Sequence, residues 1–282
     1  CTGYLEGSDV RGAMERIIEA RNITAYRGET RVFDGLSLEI AQGCNTAILG
    51  PNGSGKTTLL KLISREIHPV VQEESRLRIF GRELYNVWEL RGRLGIVSHD
   101  LQSSYLEGAR GINVLLSGYY SGNGTSSHMR FSEEQRRSAL RTMERLEVGH
   151  LADRRFGTMS TGQQRRCLLG RALVHDPDAL LLDEPTEGLD VKASFQYFDI
   201  VRRLIAEGKN LILVTHHIHE ILPEVERVVL LKDGAIAGDG RKSEVLSSPV
   251  LSELFDYALE VGRHNGFYQV VPAGGTSSYS PL

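Results

Sequence analysis

Apolar and polar positions alternate over Ile17–Tyr26 and again over Leu36–Ile40, the period of strands with one buried face, and ETRVFDG between them predicts a turn. The short apolar run Thr46–Leu49 stops at Gly50. Leu59, Leu60, Leu62, Ile63 and Ile67 then recur at helical spacing over Thr57–Ile67, so a Gly-rich segment, GPNGSG, separates a strand from a helix. Further strands are predicted at Leu77–Phe80, Leu94–Val97, Ala179–Leu182, Leu211–Thr215 and Val228–Leu231. Helical stretches between several of them imply an α/β fold with a largely parallel sheet. From about Ser103 to Met159 the strand signals fade. Within that stretch, after the Gly/Ser-rich SGNGTSSH, Ser132-Glu-Glu-Gln135 matches a capping box, and Ala139, Leu140, Met143 and Leu146 supply an apolar helical face. A helical subdomain over about 103–160 is therefore expected, inserted into the α/β core.

Composition narrows the class. With 282 residues the chain is long enough to bury a sizeable core, as one large domain or two small ones. Lys+Arg 33 against Asp+Glu 36 leaves a net charge of −3, which argues against a nucleic-acid binder that relies on bulk positive charge. Cys1, Cys44 and Cys167 are odd in number and widely spaced, so a disulfide framework is not expected and a reducing compartment is. No stretch approaches the about 18 apolar residues that span a bilayer, so a membrane role would come through a partner chain. The patterned sequence begins at Met14, and residues 1–13 are expected to be a disordered or non-native extension without the features of a secretory signal. Residues 262–282, ending in the small, polar PAGGTSSYSPL, are expected to form a loose tail.

The chemistry lies in the Gly-rich segment. Gly50-Pro51-Asn52-Gly53-Ser54-Gly55-Lys56-Thr57, followed by Thr58, satisfies G-x-x-x-x-G-K-[ST] in the strand–loop–helix setting that pattern requires. Glycines let successive N–H groups turn inward around phosphate oxygens, and the helix that follows presents its positive end to the same anion. Lys56 is then expected to reach the β- and γ-phosphates, and the Thr57 hydroxyl to ligate Mg²⁺. The apolar run Ala179–Leu182 ends in Asp183-Glu184-Pro185, delivering two carboxylates at the C-terminal edge of a buried strand. Asp183 would complete the Mg²⁺ coordination, and Glu184 would act as general base on the attacking water.

Between these motifs stands Met159-Ser160-Thr161-Gly162-Gln163-Gln164. The order resembles the nucleotide-binding domain of ATP-binding-cassette (ABC) ATPases, whose signature is LSGGQ. That resemblance implies a P-loop NTPase fold of the ABC type over residues 14–261, with a mostly parallel core, an antiparallel β subdomain and the helical insertion. It also implies a head-to-tail dimer in which Ser160, Gly162 and Gln163 of one chain meet the ATP on the phosphate loop of the other, a second copy or a paralogue. By the same likeness, Tyr26 matches the aromatic that stacks on adenine. Asp190, in Glu187-Gly188-Leu189-Asp190, matches the carboxylate of the interface loop, and His216, ahead of His217, matches the switch histidine at the γ-phosphate. Two positions depart from the pattern. Thr161 stands where the signature usually has glycine, and LGIVSHDLQ puts His99 at the register of the family's Q-loop glutamine, with Gln102 three residues later; either could approach the metal.

The resemblance implies an ATPase, with ATP and Mg²⁺ as its ligands, that drives transport through separate transmembrane permease subunits from the cytoplasmic face of the cell membrane. The alternative is a soluble ABC ATPase of iron–sulfur assembly or translation. The chain shows neither the paired cassettes of translation-type members nor the long coiled coil of repair-type members.

Overall fold

The computed structural model describes residues 15–83, 86–98, 101–102, 105, 107–120 and 130–274. Residues 1–13, Met14, His99, the SGNGTSSH loop and residues 275–282 lie outside them. The chain divides into two compact units, one formed by residues up to Gly81 together with those from Thr215 onward, the other by Arg82–Val214.

In the first unit, β1 (Arg16–Arg27) pairs antiparallel with β2 (Thr30–Ala41) on one edge and with β4 (Arg76–Ile79) on the other. β1 buries both of its faces, Ile17 through Ala20 in succession, whereas on β2 Leu36, Leu38 and Ile40 keep the alternation expected. The turn is shorter than ETRVFDG suggests: Gly28 and Glu29 make the reversal, and Val32-Phe33 continues β2. Phe33 is fully buried opposite Ala25, and that burial holds the segment in the ladder. β3 (Thr46–Leu49), wholly buried, runs parallel to β8 (Arg227–Lys232), which pairs antiparallel with β9 (Ala235–Arg241). Arg227 fastens this corner through a forked pair with Asp239 (2.7 and 2.5 Å) and a bond to the Glu39 carbonyl (2.6 Å).

The C-terminal part of this unit corrects the expectation of a loose tail from residue 262. After α7 (Lys242–Val245) and α8 (Ser248–Phe255), β10 (Leu259–His264) and β11 (Phe267–Pro272) form an antiparallel hairpin. Asn265 and Gly266 take φ of 50° and 84°, the left-handed pair that a two-residue hairpin turn demands, and Tyr268 is buried beneath it.

In the second unit, β5 (Leu94–Val97), β6 (Ala179–Asp183) and β7 (Asn210–Thr215) run parallel. Its helices are α2 (Val87–Arg93), α3 (Gly111–Leu116), α4 (Glu133–Arg145), α5 (Thr161–Leu173) and α6 (Val191–Ala206). The capping box forms as read from sequence: Gln135 N donates to Ser132 Oγ (3.1 Å) and Ser132 N to Gln135 Oε1 (2.9 Å). Of the expected apolar face, Ala139, Met143 and Leu146 are fully buried. Leu140 is not; one step of about 100° takes it off the stripe and leaves it 41% exposed. No described helix is long and apolar enough to cross a membrane.

Cys44 and Cys167 are buried, and neither is in a disulfide among the described residues. Burial pushes the Cys167 thiol up to about 12 and raises that of Cys44 as well. Because the thiolate is the nucleophile, both are expected to resist iodoacetamide at pH 7.5 in the native chain and to react fully in denaturant. Peptide mass spectrometry checks this; labelling of Cys167 without unfolding would contradict it.

Candidate functional site

β3 ends where side chains become impossible. A β-carbon on Gly50 would lie 2.2 Å from the Leu231 carbonyl oxygen and 2.7 Å from Ser54 Oγ, so only glycine lets the chain leave the strand here. Gly50 N donates to the Thr215 carbonyl (3.3 Å), and Ser54 N to that of Pro51 (3.3 Å), which curls the loop. Gly55, at φ 108°, hands the chain to α1 (Lys56–Ile63); a β-carbon on it would press to 2.7 Å from the Phe33 ring. No side chain caps α1, and a helix start of this kind suits an anionic ligand. Lys56 is buried and folds back over the loop, its Nζ donating to the carbonyls of Gly50 (2.9 Å) and Pro51 (3.0 Å). Ser54 Oγ is buried with no hydrogen-bond partner. Asn52 and Thr57 are exposed, Pro51 is partly so, and Thr58 is buried behind them.

On the same unit, Tyr26 stands near the end of β1 with its side chain 46% exposed. His216 follows β7 directly, half-buried, its ring 3.8 Å from that of His217 between centroids. Both line a cleft of ≈ 600 Å³ with Ile218, Phe255, Tyr257 and Val270.

On the second unit, Asp183 closes β6 and is buried, and Glu184 turns the chain out of the sheet. Glu184 adopts φ 45°, a left-handed conformation costly for a residue with a side chain, while its N–H donates to the Val214 carbonyl (2.8 Å). Ser160 is the N-cap of α5 in a second capping box: Gln163 N donates to Ser160 Oγ (3.3 Å), and Ser160 N to Gln163 Oε1 (3.0 Å). Thr161, where the signature departs from glycine, is the first residue of α5 and has no positive φ, so its β-branch meets no backbone demand. Gly162 is small for a different reason, since a β-carbon on it would touch that of Ala193 at 3.0 Å. Asp190 caps α6 through Ala193 N (2.7 Å). Gln102 does not point into solvent; its Nε2 donates to Gln164 Oε1 (2.6 Å), on the signature helix.

The sequence alone did not single out two groups in these segments. Arg165, 1% exposed within α5, donates to the Glu187 carbonyl (3.3 Å). Glu220 has no exposed surface, and its one sequence signal is a carboxylate set among Ile218, Ile221 and Leu222.

A glycine loop entering an uncapped helix under a buried lysine is an arrangement that can hold a polyphosphate. The ABC transporter family model matches residues 33–187. The chain belongs to the ABC transporter ATP-binding family. It is 33% identical over 251 residues to the uncharacterized ABC transporter ATP-binding protein YlmA of Bacillus subtilis (strain 168), covering 87% of this chain and 93% of YlmA. The ADP conformation of MJ1267, an ATP-binding cassette of an ABC transporter, superposes with a TM-score of 0.72 at 27% identity, over 86% of this chain and 98% of MJ1267. The cassette MJ0796 bound to ADP and Pi, a dimer in a post-hydrolysis state, matches with a TM-score of 0.64 at 27% identity, over 79% of this chain and 98% of that one. The α/β cassette fold is therefore that of an ABC ATPase, and the chain is an ATP-binding, ATP-hydrolysing subunit of an ABC transporter.

Gly55→Ala is expected to lower stability by about 1–3 kcal/mol, because the new methyl both strains a positive φ and collides with Phe33. Thermal unfolding checks it; an unchanged melting temperature would show that the loop relaxes freely.

Proposed function

We infer that ATP binds on the Gly50–Thr58 loop and closes a pair of cassettes, and that hydrolysis there releases the pair, a cycle that drives permease subunits. The observation that carries this is the uncapped start of α1, entered through a left-handed Gly55 and covered by the Lys56 ammonium. Lys56 now rests on neutral carbonyls; phosphate oxygens would be stronger, charge-assisted acceptors for the same protons. The ring of Tyr26, exposed on its sheet, would stack on adenine.

Mg²⁺ suits the donors offered: the exposed Thr57 hydroxyl and the Asp183 carboxylate are hard oxygen ligands. When bound, the cation neutralises phosphate charge. Glu184 would take a proton from the attacking water, the bend at φ 45° fixing the direction of its side chain. His216 would contact the γ-phosphate. Gln102 and His99 are the two candidates for the Q-loop contact, and Gln102 would have to leave Gln164 to make it.

Ser160, Gly162 and Gln163 would face the ATP of a second copy or a paralogue, as the dimer of MJ0796 supports. Ser160 Oγ already accepts from Gln163 N, so its own proton is left to donate to a phosphate oxygen. Asp190 would meet the partner from the cap of α6. Docking on transmembrane permease subunits places the pair at the cytoplasmic face of the cell membrane; no nucleic acid is involved.

Two variants test the assignment. Lys56→Ala is expected to weaken ATP binding by roughly tenfold or more, read by equilibrium titration. Glu184→Gln is expected to bind ATP normally, lower turnover by roughly a hundredfold or more and accumulate as an ATP-bound dimer in analytical ultracentrifugation. Wild-type turnover in Glu184→Gln would remove Glu184 as the base.

A further inference from the structure

The turn after β7 holds a carboxylate that the phosphate chemistry above does not use. Glu220 and Thr215 are both wholly without exposed surface. The Thr215 hydroxyl donates to Glu220 Oε2. The Thr215 hydroxyl oxygen itself accepts the backbone N–H of His217 at 2.8 Å. The Thr215 carbonyl, in turn, accepts from Gly50 N at 3.3 Å. His216 therefore sits between two tethered peptide groups: the one before it is tied to the first residue of the phosphate loop, and the one after it to the threonine hydroxyl.

The chemistry of the groups fixes the direction of these bonds. An ionised carboxylate only accepts, so the single proton of Thr215 Oγ1 must point at Glu220, and a lone pair is then turned to the His217 amide. The short turn Ile218–Glu220 brings the carboxylate back beneath the strand end, with Glu220 N donating to the His217 carbonyl at 3.1 Å. A buried carboxylate is costly unless hydrogen-bonded, and the Thr215 hydroxyl supplies such a bond to Glu220.

We propose that Glu220 is a positioning residue for hydrolysis: acting through Thr215 Oγ1, it locks the backbone that carries His216 and so sets the aim of the imidazole. This rests on the reading of His216 as the γ-phosphate contact, and it adds a residue that does not itself touch nucleotide. A residue that only supports the fold would lower ATP affinity and turnover together when removed, whereas one that aims His216 lowers kcat and leaves ATP binding alone.

The test is steady-state ATPase kinetics and ATP titration on the full chain. Thr215→Val keeps the shape and removes the hydroxyl; its kcat is expected to fall roughly tenfold or more, with the KM and Kd for ATP within about twofold of wild type. Thr215→Ser, which restores the hydroxyl, is expected to recover most of the loss. Wild-type kcat in Thr215→Val overturns the proposal, as does a loss of ATP affinity that matches the loss of kcat. Should Thr215→Val fail to fold, Glu220→Asp, which keeps the charge and shortens the arm by one methylene, carries the same expectation and the same two refutations. His216→Ala separates the two levels. Low turnover in His216→Ala beside wild-type turnover in Thr215→Val and Glu220→Asp removes the positioning role alone, whereas wild-type turnover in His216→Ala removes the role of His216 and the positioning role with it.

Discussion

The contact between Gly50 and β8 leaves no room for a side chain, and much of the first unit follows from that. With a β-carbon barred by the Leu231 carbonyl 2.2 Å away, the backbone can lie against the neighbouring strand as it leaves β3. From there its N–H meets the Thr215 carbonyl, the loop curls on the Ser54–Pro51 bond, and α1 starts without a side-chain cap. A bulkier residue at Gly50 would move the loop away from the strand end that carries His216. It would also move the two carbonyls on which Lys56 rests.

The residues proposed for the chemistry stand just past the C-terminal ends of parallel strands: Gly50 after β3, His216 after β7, and Glu184 after β6. Strands there expose unpaired backbone groups while the strand body stays buried, so a charged or polar side chain can be held by a rigid element and still reach ligand. Glu184 stores the cost of this arrangement in its own φ, and Thr215 and Glu220 store it as buried polarity.

Much of this was legible in the chain because its signals are local. The apolar runs of β5 and β6 and the 132–135 capping pattern depend on residues a few positions apart, and they formed as read. Misreadings arose where partners decide. Val32-Phe33 looks like turn composition until Ala25 lies opposite Phe33. Leu140 looks like core by hydropathy, although helix geometry turns it outward. The β10–β11 hairpin did carry a local cue, Asn265-Gly266, but weak alternation on either side hid it. At the site, the phosphate loop is a contiguous motif and could be read directly. Glu220 is tied to Thr215 only by a hydrogen bond across a turn, which no spacing rule reports.

The Ser160–Gln163 pair has a thermodynamic consequence for association. In an isolated loop a serine hydroxyl and a glutamine side chain would each lose rotamer freedom on being fixed by a partner, at about 0.5–1.5 kcal/mol for a long side chain. Here the reciprocal capping bonds have already frozen both in the single chain. That entropy is lost during folding, so if this surface meets a second cassette as proposed, it does so preorganised, and more of the interaction free energy of its first contact appears as affinity.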